Sequence, residues 1–242
     1  MESIVKLSKR LQAVANLTHP WRRIADIGSD HAHLPIYLRS TEQIDFAVCG
    51  EVIEGPYEIA RDHVQKSGFA TDLQVRLADG LQAIQPEDRV ECAVIAGMGG
   101  MLITEILERG VDQLRSLQAL VLQPNQNVDV VRNWLAEHSW QINAEDLVYD
   151  EGHYYQLIAA VPVSQPLHYQ PVELLMGPKM LGNVEAASDF EKYWQFQLQQ
   201  KQLVLAHLQQ ATQPPAEKIE HVRAEIKLIK EGLDATNSST NY

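Results

Sequence analysis

Between residues 23 and 124, short apolar runs alternate with stretches of helical periodicity, and no other feature constrains the fold as much. The strand-like runs are RRIADIG, FAVCGEV, LQVRLADG, ECAVIAGMGG and LQALVLQPN. HLPIYLRST, EGPYEIARDHVQKSG ending at Gly68, and MLITEILERGV carry helical spacing between them. Consecutive strands separated by helices imply crossovers, and crossovers imply a parallel, doubly wound α/β sheet. After a further helical stretch, VDVVRNWLAEHS, the pattern changes. QINAEDLVYDEGHYYQLIAAV is two strand-like runs joined by a short turn at Asp150–Gly152, so these two strands are expected to be antiparallel to each other.

Five parallel strands closed by a hairpin differ from the six parallel strands of a dinucleotide-binding fold. Residues 3–17 place Ile4, Leu7, Leu11, Val14 and Leu17 at helical spacing, with Lys6, Lys9 and Arg10 off that stripe. Pro162, Pro166 and Pro171 mark a boundary, dividing 1–162 from 163–242. Beyond it, one helix is expected to pack through Trp194, Leu198, Leu203, Leu205 and Leu208. A second spaces Ile219, Val222, Ile226 and Ile229 as a coiled-coil seam. TQPP breaks the two, giving an antiparallel helical pair, and the tail DATNSSTNY is expected to fray.

The net charge of −12 argues against a protein that coats nucleic acid non-specifically. Residues 1–23, however, carry five basic residues against one acid, so a polyanion would meet a small positive face beside an acidic body. No apolar run approaches the roughly 18 residues that cross a bilayer, and the first residues are amphipathic rather than secretory; a soluble, cytoplasmic protein is expected. Cys49 and Cys92 lie in strand-like runs and read as buried, reduced thiols.

ADIGSDHAHLP carries the most chemistry. A strand ending at Asp26, a turn at Gly28 and a helix starting near Ala32 form the first strand-loop-helix of a nucleotide site. Asp30 stands where a second glycine of D-x-G-x-G-x-G would fall, and Ala32 where the third would. A diphosphate would meet a carboxylate there, whereas S-adenosylmethionine, with its ammonium and sulfonium cations, suits Asp26 and Asp30. The competing reading is an ordinary glycine turn with a capping Asp. Glu51 ends the second strand, where a carboxylate accepts both ribose hydroxyls, and Asp79 ends the third, where one can take an adenine amino group. Either acid alone could be a helix cap or a solvated loop charge; acids ending three consecutive strands argue for a site. His31 is either a cofactor or substrate contact or a helix-start residue, His33 reads as structural, and no metal site is expected.

At these residues the chain resembles the class I S-adenosylmethionine-dependent methyltransferases. LSKRLQAVANL, ADIGSDHAHLPIYL, GEVIEGPYEIA, VRLADGL, IAGMGGMLITEIL and LVLQPN, in that order, resemble the bacterial tRNA (adenine-22-N1)-methyltransferase family, TrmK. The resemblance is close over residues 3–160 and looser over the helical extension. It implies a seven-stranded Rossmann-like methyltransferase sheet with an antiparallel last strand, followed by a coiled-coil domain. It also implies methylation of N1 of a D-loop adenine in tRNA. On that reading the cofactor is held by Asp26, Gly28, Ser29, Asp30, His31, Glu51, Val52, Asp79, Gly80, Gly97 and Met98. The substrate is held by Gly99, Gly100, Gln123, Pro124 and Asn125, with Lys6, Lys9 and Arg10 for tRNA phosphates, and Asp30 and Asn125 orient the reacting groups.

Neutral adenine already carries a lone pair on N1, so the task is positioning and no strong base is required. Amino-methylating relatives place an (Asn/Asp)-Pro-Pro-aromatic motif after the fourth strand; this chain has AGMGG there and QPN, Gln123–Asn125, after the fifth. Tyr37, Tyr57, Tyr154 and Trp134 could stack on a flipped base but read more readily as core. The basic first helix is either a solvated face or a tRNA contact, and the C-terminal helices grip either tRNA or another copy. Two other classes compete: a NAD-dependent oxidoreductase, disfavoured at Asp30, and a non-enzymatic cofactor-sensing or RNA-binding regulator.

Overall fold

A seven-stranded sheet in the order β3-β2-β1-β4-β5-β7-β6 organises the N-terminal part of the chain. The computed structural model describes residues 6–181, 187–211, 213 and 215–239. In chain order the elements are α1 (Lys9–Leu17), β1 (Arg23–Ile27), α2 (His33–Ser40), β2 (Phe46–Glu51), α3 (Glu54–Ser67), β3 (Leu73–Leu77) and β4 (Cys92–Met98). There follow α4 (Gly100–Arg109), the single turn α5 (Val111–Leu114), β5 (Ala119–Pro124), α6 (Val128–Glu137), β6 (Trp140–Asp150) and β7 (His153–Pro162).

β1 to β5 are mutually parallel, and β7 inserts antiparallel between β5 and β6. The central strands are buried on both faces, which is why their sequences are near-continuous apolar runs. Ile24, Cys49, Val94 and Val121 join Val14 of α1, Leu34 and Leu38 of α2 and Ala60 and Val64 of α3 in one core. The alternate residues Ile27, Ile95, Leu120 and Leu122 are equally buried, and α4 and α6 pack on that side of the strands. Cys49 and Cys92 are free, buried thiols, pushed well above the usual thiol range by burial.

The hairpin turn places Glu151 at φ 48° and Gly152 at φ 88°, the doubly left-handed geometry that matches strand twist in a two-residue turn. Gly68, at φ 79°, ends α3 in the left-handed conformation that favours glycine at this position. The first helix is shorter than its apolar stripe suggests: Ser8 caps it through Leu11 N, and α1 begins at Lys9. Ile4 lies outside the described residues.

The chain divides into two compact units, Met1–Leu167 and His168–Tyr242. The division falls after 167 rather than 162 because Val163 N donates to Ser139 O and Leu167 N to Ala136 O, tying the first prolines' segment to the sheet unit. The second unit holds α7 (Pro171–Met176), α8 (Ala187–Gln210) and α9 (Ala216–Ser239). α8 packs on α9, with Lys201 Nζ 2.7 Å from Glu225 Oε1, and the short connection between them makes the pair antiparallel. Ile219, Val222 and Ile229 are buried as the seam requires, and Ile226 is half-buried. On α8, Trp194 is buried but Leu203 is not; it shares an exposed strip with Phe196 and Val204. α9 continues through the stretch expected to fray as far as Ser239, because Leu233 and Thr236 are buried and the Thr236 hydroxyl donates to Gly232 O. Residues 240–242, Thr212 and Pro214 lie outside the described residues. Among the described residues no helix is long and apolar enough to cross a membrane.

Candidate active site

β1 delivers Asp26 to the carboxyl edge of the sheet, and the chain then turns at Gly28, φ 68°, whose N–H donates to Gly50 O at 2.8 Å. A Cβ at Gly28 would collide with the methyl of Met98, so the glycine serves close packing as well as the turn. Asp30, His31 and Ala32 follow at φ 39°, 70° and 59°. Three consecutive non-glycine residues in the left-handed region store strain, which clusters at ligand sites. Nothing in the sequence signals it at Ala32.

This loop folds Ser29 back so that its hydroxyl donates to Asp26 Oδ2 at 2.8 Å. Burial pushes the Asp26 carboxyl up to about 7; the Ser29 hydrogen bond pulls it down, and the charges of Glu51 and Asp30 push it further up. Glu51, at the end of β2, is also raised by burial, although the backbone amides of Asp30 and Ser29 offset this. Its Oε1 is buried with no hydrogen-bond partner. Asp79 lies exposed two residues beyond the end of β3, 3.4 Å from Arg109 Nη2, and Gly80 beside it takes φ 55° with Ile106 against its α-carbon. Val52 is 64% exposed, as is the neighbouring Ile53 at 63%.

A cavity of about 310 Å³ opens where β1, β4 and β5 end, lined by Asp26, Ser29, Gly97, Asn125, Arg10 and Tyr155 among others. Gly28, Asp30 and Met98 also reach it. β4 is irregular between Ala96 and Met98, with Gly97 at φ 80°. Gly97 is held by two carboxamides: its N–H donates to Gln123 Oε1 at 3.1 Å, and its carbonyl accepts Asn125 Nδ2 at 2.8 Å. Gln123 Nε2 donates to Asn125 Oδ1 at 2.9 Å, closing the ring.

Several expected contacts fall elsewhere. Gln123 is fully buried beneath the cavity, and Pro124 is buried beside it, so neither lines the floor expected of a substrate contact. Gly100 is buried and its α-carbon faces backbone: Gly100 N donates to Gln126 O at 2.8 Å, and a Cβ would meet Asn127 O. Gly99 is freer, with only the Gln126 side chain nearby. Arg10 leaves its expected place beside Lys6 and Lys9 and points into the cleft, where Nη1 donates to Gln123 Oε1 at 2.7 Å and the guanidinium lies over Tyr155. Lys6 and Lys9 line a different cavity, of about 620 Å³, with Gln12, Asn16, Tyr37 and Asp146.

Asp30 is the most exposed acid of the loop, its side chain 86% accessible and 3.4 Å from His31 Nε2. His31 packs its ring against His33 and His63, at 5.7 and 5.6 Å between centroids. The His31 carbonyl meets His63 Nδ1, so α3 braces the loop. Of the expected aromatics, Trp134 is buried and donates to Glu108, and Tyr154 packs on Tyr149. Sequence reading missed Tyr155, which strand alternation puts on the opposite face from Tyr154. It also missed the buried Arg132, bonded to Glu145 at 2.7 Å and to Gln156 at 2.7 Å.

The family model for tRNA (adenine(22)-N(1))-methyltransferase, TrmK, matches residues 24–231. The chain belongs to this family. The Bacillus subtilis tRNA (adenine(22)-N(1))-methyltransferase is 35% identical over 236 residues, covering 95% of this chain and 98% of that protein. A Streptococcus pneumoniae structure in complex with S-adenosyl-L-methionine is 36% identical, covers 94% of this chain and 100% of that one, and superposes at a TM-score of 0.84. The Mycoplasma capricolum TrmK bound to S-adenosylhomocysteine is 27% identical, covers 95% and 99%, and gives 0.83. The chain is thus an S-adenosylmethionine-dependent tRNA (adenine-N1)-methyltransferase of the TrmK family.

The residues fit that cofactor. Glu51 holds out a buried, unpartnered oxygen suited to ribose hydroxyls, and Asp26 is a buried carboxyl whose charge a cationic methionine moiety would stabilise. Val52 and Ile53 offer apolar surface beside Glu51.

Proposed function

We propose that the chain methylates N1 of adenine 22 in the D-loop of tRNA by positioning alone, with Asn125 oriented toward the target base. Bound in the cleft, S-adenosylmethionine supplies a methyl on a sulfonium cation, whose S–C bond breaks as the N1 lone pair forms the new N–C bond. Asp26, Ser29 and Glu51 form the cofactor end, with Gly28 and Gly97 leaving backbone in close approach. Asp30 stands at the rim and adds negative charge beside Asp26.

The carrying observation is the ring of hydrogen bonds that fixes the Asn125 carboxamide at the cavity. Oδ1 accepts Gln123 and keeps a second lone pair; Nδ2 donates to Gly97 and keeps a second hydrogen. The exocyclic amine of adenine lies next to N1. As N1 gains the methyl, positive charge spreads to that amine, and an acceptor on it stabilises the transition state more than the ground state. Asn125 Oδ1 is such an acceptor, and no proton needs to move. Tyr155 provides an aromatic face at the same cavity.

The test is single-turnover methylation of unmodified tRNA with nucleoside analysis for 1-methyladenosine. Asn125→Ala should slow transfer far more than it weakens cofactor binding, and tRNA with guanine at position 22 should yield no product. Unchanged turnover in Asn125→Ala removes that residue; product on the guanine-22 tRNA removes the target assignment.

A further inference from the structure

Gln123 has no place in this chemistry as a substrate contact, yet it lies beneath the cavity bonded to three residues that line it, Arg10, Gly97 and Asn125. Gln123 is 0% exposed. A buried carboxamide must have its hydrogen bonds satisfied, and here the partners leave no choice of orientation. Arg10 Nη1 and the Gly97 N–H can only donate, and both point at the same Gln123 atom, at 2.7 and 3.1 Å. That atom is therefore Oε1, and Nε2 faces Asn125. Asn125 must in turn present Oδ1 to Gln123, at 2.9 Å, and Nδ2 to the Gly97 carbonyl, at 2.8 Å. The polarity of the chain starts at a guanidinium, which has only donors to offer, and ends at the carboxamide in the cavity.

Arg10 is itself anchored. Its backbone N–H donates to Asp150 Oδ2 at 2.9 Å at the end of β6, and its guanidinium sits 5.4 Å from the centroid of the Tyr155 ring. α1 is thereby pinned to the sheet by the same residue that polarises Gln123.

We propose that Gln123, polarised by Arg10, is a positioning residue that sets which end of the Asn125 carboxamide meets the target base, and so selects a base with an amino group beside the methylated nitrogen. This rests on the reading that Asn125 faces the base. With Oδ1 forced into the acceptor role, an adenine amine finds a partner. The keto oxygen of guanine or hypoxanthine meets a second acceptor instead. An unpaired, repelling contact of this kind discriminates far more strongly than a missing methyl group does.

The test uses the full-length enzyme and unmodified tRNA. In Gln123→Glu the carboxylate still accepts Arg10 and Gly97 but cannot donate to Asn125; it repels Oδ1 while the Gly97 carbonyl still calls for Nδ2, so the amide no longer has one orientation that satisfies both neighbours. The expected result is a kcat lowered about tenfold or more, the loss of one hydrogen bond at the transition state. KM for tRNA and the S-adenosylmethionine Kd by calorimetry should stay near wild type. Arg10→Met should lose kcat similarly and Arg10→Lys, which restores a donor, should recover most of it. The Asn125 side-chain NH2 signals, assigned by comparison with Asn125→Asp, should shift or broaden in Gln123→Glu. Wild-type kcat in a folded Gln123→Glu, or a fall in kcat with the Asn125 signals unmoved, overturns the relay. If Asn125→Ala itself turns over normally, the reading beneath it fails instead. Should Gln123→Glu melt early, the Arg10→Met and Arg10→Lys pair decides by the same criteria.

Discussion

Ser29 donates its hydroxyl to Asp26 at 2.8 Å, a hydrogen bond that opposes the burial penalty raising the Asp26 carboxyl to about 7. In the free enzyme Asp26 is therefore largely protonated at pH 6 and largely ionised above about 7.5. A cationic methionine moiety favours the carboxylate, so cofactor affinity should rise through that window and level off above it. For folding the sign is the reverse. The folded pKa lies above the unfolded value of 3.8, so the unfolded chain releases this proton first. Stability from this group is then lost as pH rises from about 4 to about 7. Asp26→Asn should flatten the affinity profile while raising the melting temperature at pH 8. Calorimetry and thermal melts across pH 6 to 8 check both; an unaltered affinity slope would remove Asp26 from the cofactor site.

Glu51 carries a buried oxygen without a partner, at the end of the strand next to Asp26. Hydrogen bonds to a charged acceptor contribute about 1.5–3 kcal/mol each. Glu51→Gln should accordingly weaken S-adenosylmethionine binding at least about tenfold. The free protein should not lose stability, because the desolvated charge is gone. Equal affinity in wild type and variant would place the ribose elsewhere.

The first four strands were legible in the sequence as apolar runs ended by a glycine or an acid, the fifth as an apolar run ended by Pro124 and Asn125, and the hairpin because Asp150–Gly152 separates two alternating segments. The acids proposed to hold the cofactor, Asp26 and Glu51, were singled out by their places at strand ends, a purely topological rule. Arg10 was not legible. Its partner Gln123 lies 113 positions away, and helical periodicity only placed it off the apolar stripe. The left-handed run at Asp30–Ala32 was invisible because Ala32 has no intrinsic preference for that conformation; the contact of His63 with the His31 carbonyl, 32 positions away, holds the loop from α3. α9 outran its prediction because burial of Leu233 and Thr236 overrides weak local propensity.

The glycines of AGMGG divide their labour, and two substitutions separate the roles. A Cβ at Gly100 would run into the Asn127 carbonyl, with Gln126 O only 2.8 Å away. Backbone cannot yield as a side chain can, so Gly100→Ala should cost about 1–3 kcal/mol or more of stability. Gly99 has φ −71° and its nearest neighbour is the Gln126 amide at 3.3 Å, so Gly99→Val should fold. Its methyls would stand next to Gly97 and Met98, which line the cavity, and should lower transfer. Melting curves paired with single-turnover rates distinguish them; a Gly99→Val enzyme with full activity would leave this stretch as a turn and nothing more.

Arg10 cannot report on tRNA binding, because its removal also disturbs Gln123. Lys6 and Lys9 can: both are exposed, both line the cavity with Gln12, Asn16 and Tyr37, and neither touches the cofactor cleft. Every phosphate that the protein no longer neutralises should reduce the slope of log affinity against log salt by about one. Lys6→Ala with Lys9→Ala should therefore weaken tRNA binding most at low salt and lower the slope by about two. The S-adenosylmethionine Kd should not change, since Asp26 and Glu51 stay in place. Filter binding from about 50 to about 200 mM salt measures the slope, and an unchanged slope would move tRNA contact off the first helix.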